Sequence, residues 1–422
     1  MAMRISLYES KKALTSPIIL FLLVLFTVYN IFLIYNSSDF KKELHIANDI
    51  AKNYGLDITD ESLLKLENDM QEDLSYLNEI TSEKVGQTFT SSGEFFTNLR
   101  FEDQETYTEE QLNSFYDLYV KEMYLGTAKG IDDSYNKIDI ATLGEDGIRS
   151  YGLTGSAADT LRKQFEVFED RFEQMKANAE HKEWFFAGKM YFMHSLLFKS
   201  LFLSIILESI ILIVLSTALI TNYEFENRTQ LVTFATKRGR RLMGDKLSAS
   251  LIVSTFLSVF LLGSSLFIYF IVYDYSHLWG SSISSAFNWE YQFPYVSWWD
   301  MSLLTFLIWS IALFYACMLL FAGATFVISV LIKNSYFTFF VFAAIFAILF
   351  LLQGFMPKSS NLLFAAGFNL SSLALNPHQW FMASKGLLIF KYYEWITVLV
   401  WMVFITVFII LVIKHFKKRE IV

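Results

Sequence analysis

One cysteine and four prolines are all that 422 residues contain of the two types that most constrain a chain. The lone Cys317 excludes a disulfide within the chain, so every part of it folds without covalent cross-links. The prolines stand at 17, 294, 357 and 377, and none interrupts a long apolar run. Catalytic signatures are missing as well. There is no His-Glu-x-x-His, no Gly-x-Ser-x-Gly and no pair of acids inside an apolar stretch. The six histidines are scattered singly at 45, 181, 194, 277, 378 and 415. No catalytic residue and no metal site is expected, and nothing in the sequence points to nucleic acid. One near-match needs removing. Gly239 to Lys246 reads like a phosphate-binding loop with one residue too many, but Asp245 would set a carboxylate against the phosphates and no strand precedes it. The chain is not expected to bind ATP itself.

What the sequence does have is charge of opposite sign in two regions. Residues 36–189 hold 32 Asp and Glu against 16 Lys and Arg, whereas the remaining residues hold 10 acids and 18 bases. A helix needs about 20 mostly apolar residues to cross a bilayer, and six stretches qualify: Pro17–Tyr35, Leu196–Ile220, Ser248–Val272, Ser302–Ile332, Tyr336–Phe355 and Tyr393–Ile413. The predicted fold is therefore an all-α polytopic membrane protein of six transmembrane helices. A mainly helical, acidic extracellular domain is inserted between the first and second. The boundaries read as 1–35 for a surface helix and the first span, 36–189 for the inserted domain, and 190–422 for the other five spans. The first apolar run is too long for a signal core, and no small-x-small cleavage site follows Tyr35, so it reads as a retained span.

Orientation follows the basic residues of the short loops. With both termini in the cytoplasm, 14 of the 18 basic residues outside the insert face inward, and the reverse topology would leave four there. The insert then faces outward from the cell membrane. So do Trp279, Trp289, Trp298, Trp299, Trp380, Tyr392, Tyr393 and Trp395, expected in the headgroup zone where amphipathic rings collect.

Within the insert, Leu161, Phe165, Phe168, Phe172 and Met175 recur at helical spacing behind a candidate N-cap, Ser156. Leu63, Leu66, Met70, Leu74 and Leu77 form a second stripe, and Thr108 to Gln111 matches a capping box. Between Gly126 and Gly155 the glycines and Asp pairs predict loops or short strands. The stripes predict an ordinary core, and the acidity leaves open a role in attracting a cationic substrate.

The loop 221–247 between the second and third spans is the most patterned segment of the membrane body. Glu224 and Glu226 come first, then Arg228 and the apolar Leu231, Val232 and Phe234, then Lys237, Arg238, Arg240 and Arg241, with Lys246 opening the next span. Here the chain resembles the permease subunits of type 2 ABC transporters, in the subset with a large external domain between spans one and two. In that family an acid-led short helix follows the second span, and a basic cluster and a Lys follow the helix. The N-terminal stretch Met3–Leu14 is similar to the family's surface helix. The resemblance implies that residues 223–236 form a coupling helix docking on a separate ABC ATPase subunit. Glu224, Glu226, Arg228, Leu231, Val232, Phe234, Arg238, Arg240, Arg241 and Lys246 would serve that contact. It also implies a second permease subunit, like or unlike, embedded in membrane lipid. ATP and Mg would be held by the partner ATPase, with no cofactor in this chain. The resemblance implies short re-entrant helices for the segment 361–375, whose apolar length and turn residues fit an ordinary interfacial helix equally well.

Glu208, near the middle of span two, is expensive there unless it is paired, protonated or facing a wet cavity. It is a candidate for a transport path, or else a bonded strut between helices. The leading functional expectation is an ATP-driven exporter permease moving peptides or other amphipathic substrates. The alternative is a membrane sensor or immunity protein that binds an extracellular peptide without transport.

Overall fold

The computed structural model describes residues 2–186, 194–235, 239–290 and 293–418. Six helices are long and apolar enough to cross a membrane: Pro17–Asn36, Ser195–Glu226, Leu242–Val272, Leu303–Ile332, Ser335–Phe355 and Tyr393–Lys418. They are spans one to six below. Local chemistry sets their ends. Ser16 is extended and Pro17 opens span one, where its missing N–H costs nothing. Ser302 and Asn334 cap spans four and five by accepting from the backbone N–H groups of Thr305 and Phe337. Span two begins with a π-helical turn, Ser195–Leu201.

Span two is the centre of the bundle and packs on spans one, three, four and five. Its most apolar stretch is 67% buried, against 17% for those of spans one and five. Spans four and six approach closely at Gly323, where a Cβ would stand 2.8 Å from the Ile405 side chain. Spans two, three and six run one to two turns beyond the expected apolar limits at the end that carries the termini. Polar residues there pair across helices, as described below.

Residues 38–177 form helices whose apolar stripes pack together. Asp60–Val85 buries Leu66, Met70 and Leu77, and Gly155–Ala177 buries Leu161, Phe168, Phe172 and Met175. Thr108 makes the capping box of Glu109–Lys129 with Gln111. The expected helix start at Ser156 shifts: Thr154 occupies the N-cap position, while the Ser156 hydroxyl donates to Ser359 O at 3.1 Å. The segment expected as loops or strands is instead two helices, Ile131–Asn136 and Ile140–Tyr151. Gly144 is no turn residue; it lets Ile140–Tyr151 lie against Phe165, whose ring would stand 2.9 Å from a Cβ.

The loops 273–301 and 356–392 fold onto this insert and bind it through backbone and side-chain hydrogen bonds. A two-residue antiparallel ladder pairs Trp289–Glu290 with Phe293–Pro294. Trp298, Trp380 and Tyr393, expected at the headgroup surface, are buried in this junction. Trp299 and Trp395 are half-buried and Tyr392 is exposed.

Candidate functional site

At the end of the bundle away from the insert, the surface helix Ala2–Leu14 lies against spans two and three. It turns Ser6, Glu9, Ser10 and Ala13 inward and leaves Leu7 exposed, so its buried face is largely polar. The polar face meets a buried ionic cluster. Lys246, fully buried in span three, pairs with Glu224 of span two and lies 3.6 Å from Glu9. It also donates to the carbonyls of Ile220 and Thr221, which satisfies an ammonium that burial would otherwise penalise. Lys12 donates to Glu9 at 2.7 Å and to Glu224 at 3.0 Å, and stands 4.2 Å from the Tyr223 ring centroid. Burial works against the Lys12 charge, but bonds to and charges of Glu9 and Glu224 outweigh it and lift this ammonium above its ordinary range. Two acids and two bases thus lock the surface helix to spans two and three.

This placement differs from the expectation for the loop. Glu224 and Glu226 lie in the last turn of span two, not at the head of a short helix. Glu224 is used within the chain, and Glu226 accepts from the backbone N–H of Ser335 at 2.6 Å, where span five begins. Lys246 is likewise interior. Arg228 is exposed and reverses the chain in the left-handed region, with φ of 55°. A six-residue helix, Gln230–Ala235, follows. Leu231 and Val232 on it are 56% and 77% exposed, whereas Phe234 is 3% exposed. The Phe234 ring packs between Phe225 of span two, at 5.5 Å, and Phe416 of span six, at 5.1 Å. Leu242, Met243, Phe326, Val330 and Val412 complete that apolar cluster. Gly239 presses directly on the short helix, where a Cβ would come within 2.5 Å of the Phe234 backbone. Arg241 is exposed. Arg238 and the Arg240 side chain lie outside the described residues.

Glu208 is 5% exposed and accepts from the Asn30 amide of span one at 2.8 Å. The same amide reaches Ser265 of span three at 3.1 Å. Glu208 Oε1 and Asn30 Oδ1 have no hydrogen-bond partner among the described residues. The carboxyl therefore joins three spans through a neutral amide. Asn30 was missed in the sequence, although an amide in the middle of an apolar span is a visible signal. Glu9 and Lys12 were missed because a surface helix gives hydropathy no reason to bury them. The segment 361–375 forms two short helices, Leu362–Gly367 and Leu370–Ala374.

Six apolar helices of bilayer-spanning length define a multi-pass membrane protein. Compared with protein-family models, with curated proteins and with solved structures, the chain matches none.

Proposed function

We propose that the chain is the membrane subunit of an ATP-driven exporter of amphipathic substrates, worked by a separate ATPase that docks on Gln230–Ala235. One arrangement carries this reading: a short helix displays two apolar side chains at the basic end of the bundle, while its third is wedged among spans two, four and six. An isolated exposed apolar pair is suited to a partner's groove, where buried apolar anchors dominate small interfaces. A push on Leu231 and Val232 would pass through Phe234 to Phe225 and Phe416, and so to two spans at once. The insert is extracellular in this reading, and a second permease subunit covers the apolar faces left open on spans one and five. Nucleotide and Mg are held by the ATPase.

The test is co-purification through a tag on this chain. Changing both Leu231 and Val232 to Asp should release the ATPase. Phe234→Ala should retain it but uncouple substrate-stimulated hydrolysis. If no Walker-type ATPase accompanies the wild type in mild detergent, the exporter reading fails and a sensor takes its place. Topology is tested separately in a Cys317→Ala background. A cysteine at Glu83 should react with an impermeant thiol reagent in intact cells, and one at Arg228 only after permeabilisation. The opposite pattern would sink the orientation.

A further inference from the structure

The geometry points to a binding site for the head of an amphipathic organic cation, in a cleft of about 410 Å³ between spans four and six at the insert end. Five rings line it, from Trp299, Trp309, Phe381, Tyr392 and Trp395, together with the carboxylate of Asp300. Trp309 and Trp395 meet edge to face at 5.3 Å, and Trp299 lies 6.0 Å from Tyr392. Phe381 lies 6.1 Å from both Trp299 and Trp395. An alkylammonium among such rings is attracted by their quadrupoles, and the attraction grows as water is excluded.

Two features set this cleft apart from tryptophans that merely anchor a helix at the interface. First, Phe381 is held in the left-handed region, with φ of 61°, which a bulky residue adopts only when its surroundings impose it. Its N–H donates to Glu394 at 2.7 Å and its carbonyl accepts from Trp298 N at 3.0 Å, so the ring position is enforced. Second, Asp300 forms no hydrogen bond or ion pair among the described residues, and the base whose charge reaches it, Arg171, is committed to Glu180 and Ser297 O outside the cleft lining. Lys385 is committed to Glu394, and Lys391 stands 6.0 Å from the Tyr392 ring outside the lining. An acid whose basic neighbour is already paired elsewhere favours a plain cation over a zwitterionic phosphate head. Exposed Leu304 and Ile308 on span four, and Ile396 and Leu399 on span six, offer an apolar track for the tail. The acidic insert would raise the local concentration of such cations.

That the bound cation is also the cargo rests on the exporter reading; binding itself does not. The experiment therefore uses the purified full chain without any ATPase, in a maltoside detergent. Labelled hexyltrimethylammonium is measured by equilibrium dialysis against protein-free micelles. Its neutral isostere, with a tert-butyl group in place of the trimethylammonium, is run in parallel. Saturable binding of the cation alone is expected, weakened on the order of tenfold by Asp300→Asn and by Trp395→Leu, and largely kept in Trp395→Phe. Equal binding of cation and isostere would make the cleft a mere apolar crevice and overturn the proposal. So would binding that both variants leave unchanged, or no binding at all. If Trp395→Leu does not fold, Asp300→Asn decides, because that side chain is exposed. Saturable binding in a protein that never recruits an ATPase keeps the site and removes only the cargo role.

Discussion

The two ends of the bundle are braced in different ways. At the insert end, the loops 273–301 and 356–392 are tied to the insert by many separate hydrogen bonds, most of them to backbone atoms. Ser281 donates to Trp184 O at 2.7 Å, Arg171 Nε to Ser297 O at 2.9 Å, and Ala286 N to His181 O at 2.9 Å. At the other end, four charged side chains and one aromatic wedge hold the surface helix, the short helix and the neighbouring ends of four spans. Bonds spread over many residues tolerate single losses, even with the separate buried pairs Arg171–Glu180 and Lys385–Glu394 among them, whereas one cluster shared by four charges does not. The end with concentrated bracing is also the one that displays an apolar pair on a short helix. An element held at a few points can be moved as a unit by force applied there.

The largest expected effect follows from that contrast. Lys246→Met leaves Glu9 and Glu224 buried around Lys12 alone, and breaking such a buried pair costs about 3–5 kcal/mol. Folded yield and the Tm in detergent should drop sharply. Adding Glu224→Gln to Lys246→Met should recover part of the loss, since it removes the uncompensated charge. A Lys246→Met protein that melts like the wild type would break the comparison at its strongest point.

A second test sits at the insert end and uses pH. Burial, with the charges of Asp57, Asp300 and Glu180, pushes the Glu183 carboxyl from 4.5 up to about 7, against the Ser282 N–H that lowers it. Burial and nearby lysines hold His181 down from 6.5 to about 4. The signs oppose. Between 4.5 and 7 folded Glu183 keeps a proton that the unfolded chain releases, so its contribution to stability falls as pH rises. Below 6.5 the unfolded chain binds a proton that folded His181 refuses, so that contribution falls as pH drops toward 4. The two slopes offset each other across their shared window. Glu183→Gln should unmask the His181 slope, giving a Tm that climbs from pH 4 to 6.5 and then levels. An unchanged profile would remove both groups from the account. Smaller still, Ser281→Ala should cost only about 1 kcal/mol, because one neutral bond among many is lost.

Much of the membrane body was legible, for a plain reason. An apolar run of 20 residues has few alternatives to a spanning helix, so each of the six appears where hydropathy puts it. The helical extensions toward Glu226 and before Ser248 were not legible, because Glu224 and Lys246 satisfy each other only across two helices. Gly144 misled for a related reason: its role is contact with Phe165, and a glycine that admits a neighbour looks the same as one that makes a turn. Trp298 and Trp380 carried an interfacial signal, yet the loops that bear them fold back and bury both rings. On the short helix, the apolar character of Leu231, Val232 and Phe234 was plain. Which of them turns inward depends on Phe225 and Phe416, which lie in two other helices.

The smallest expected effect on stability lies between the two ends, where neither kind of bracing reaches. Among the described residues, Glu208 accepts a single bond, from Asn30, and its second oxygen has no partner. Gln in its place keeps the shape and the acceptor, and supplies an amide donor in a region that holds an orphan acceptor on Asn30. Glu208→Gln should therefore shift stability by no more than about 0.5 kcal/mol, whereas Glu208→Leu, which deletes the acceptor, should cost about 1–3 kcal/mol. The two variants separate the two roles open to this carboxyl. Under the proposed exporter function, if it serves only as a strut, transport in cells should follow stability: Gln close to wild type, Leu impaired. If its charge or its proton takes part in moving substrate, Gln should lose transport while its Tm and yield stay unchanged. Transport that falls only in step with folded protein, in both variants, would assign Glu208 to the architecture of spans one to three and remove it from the path.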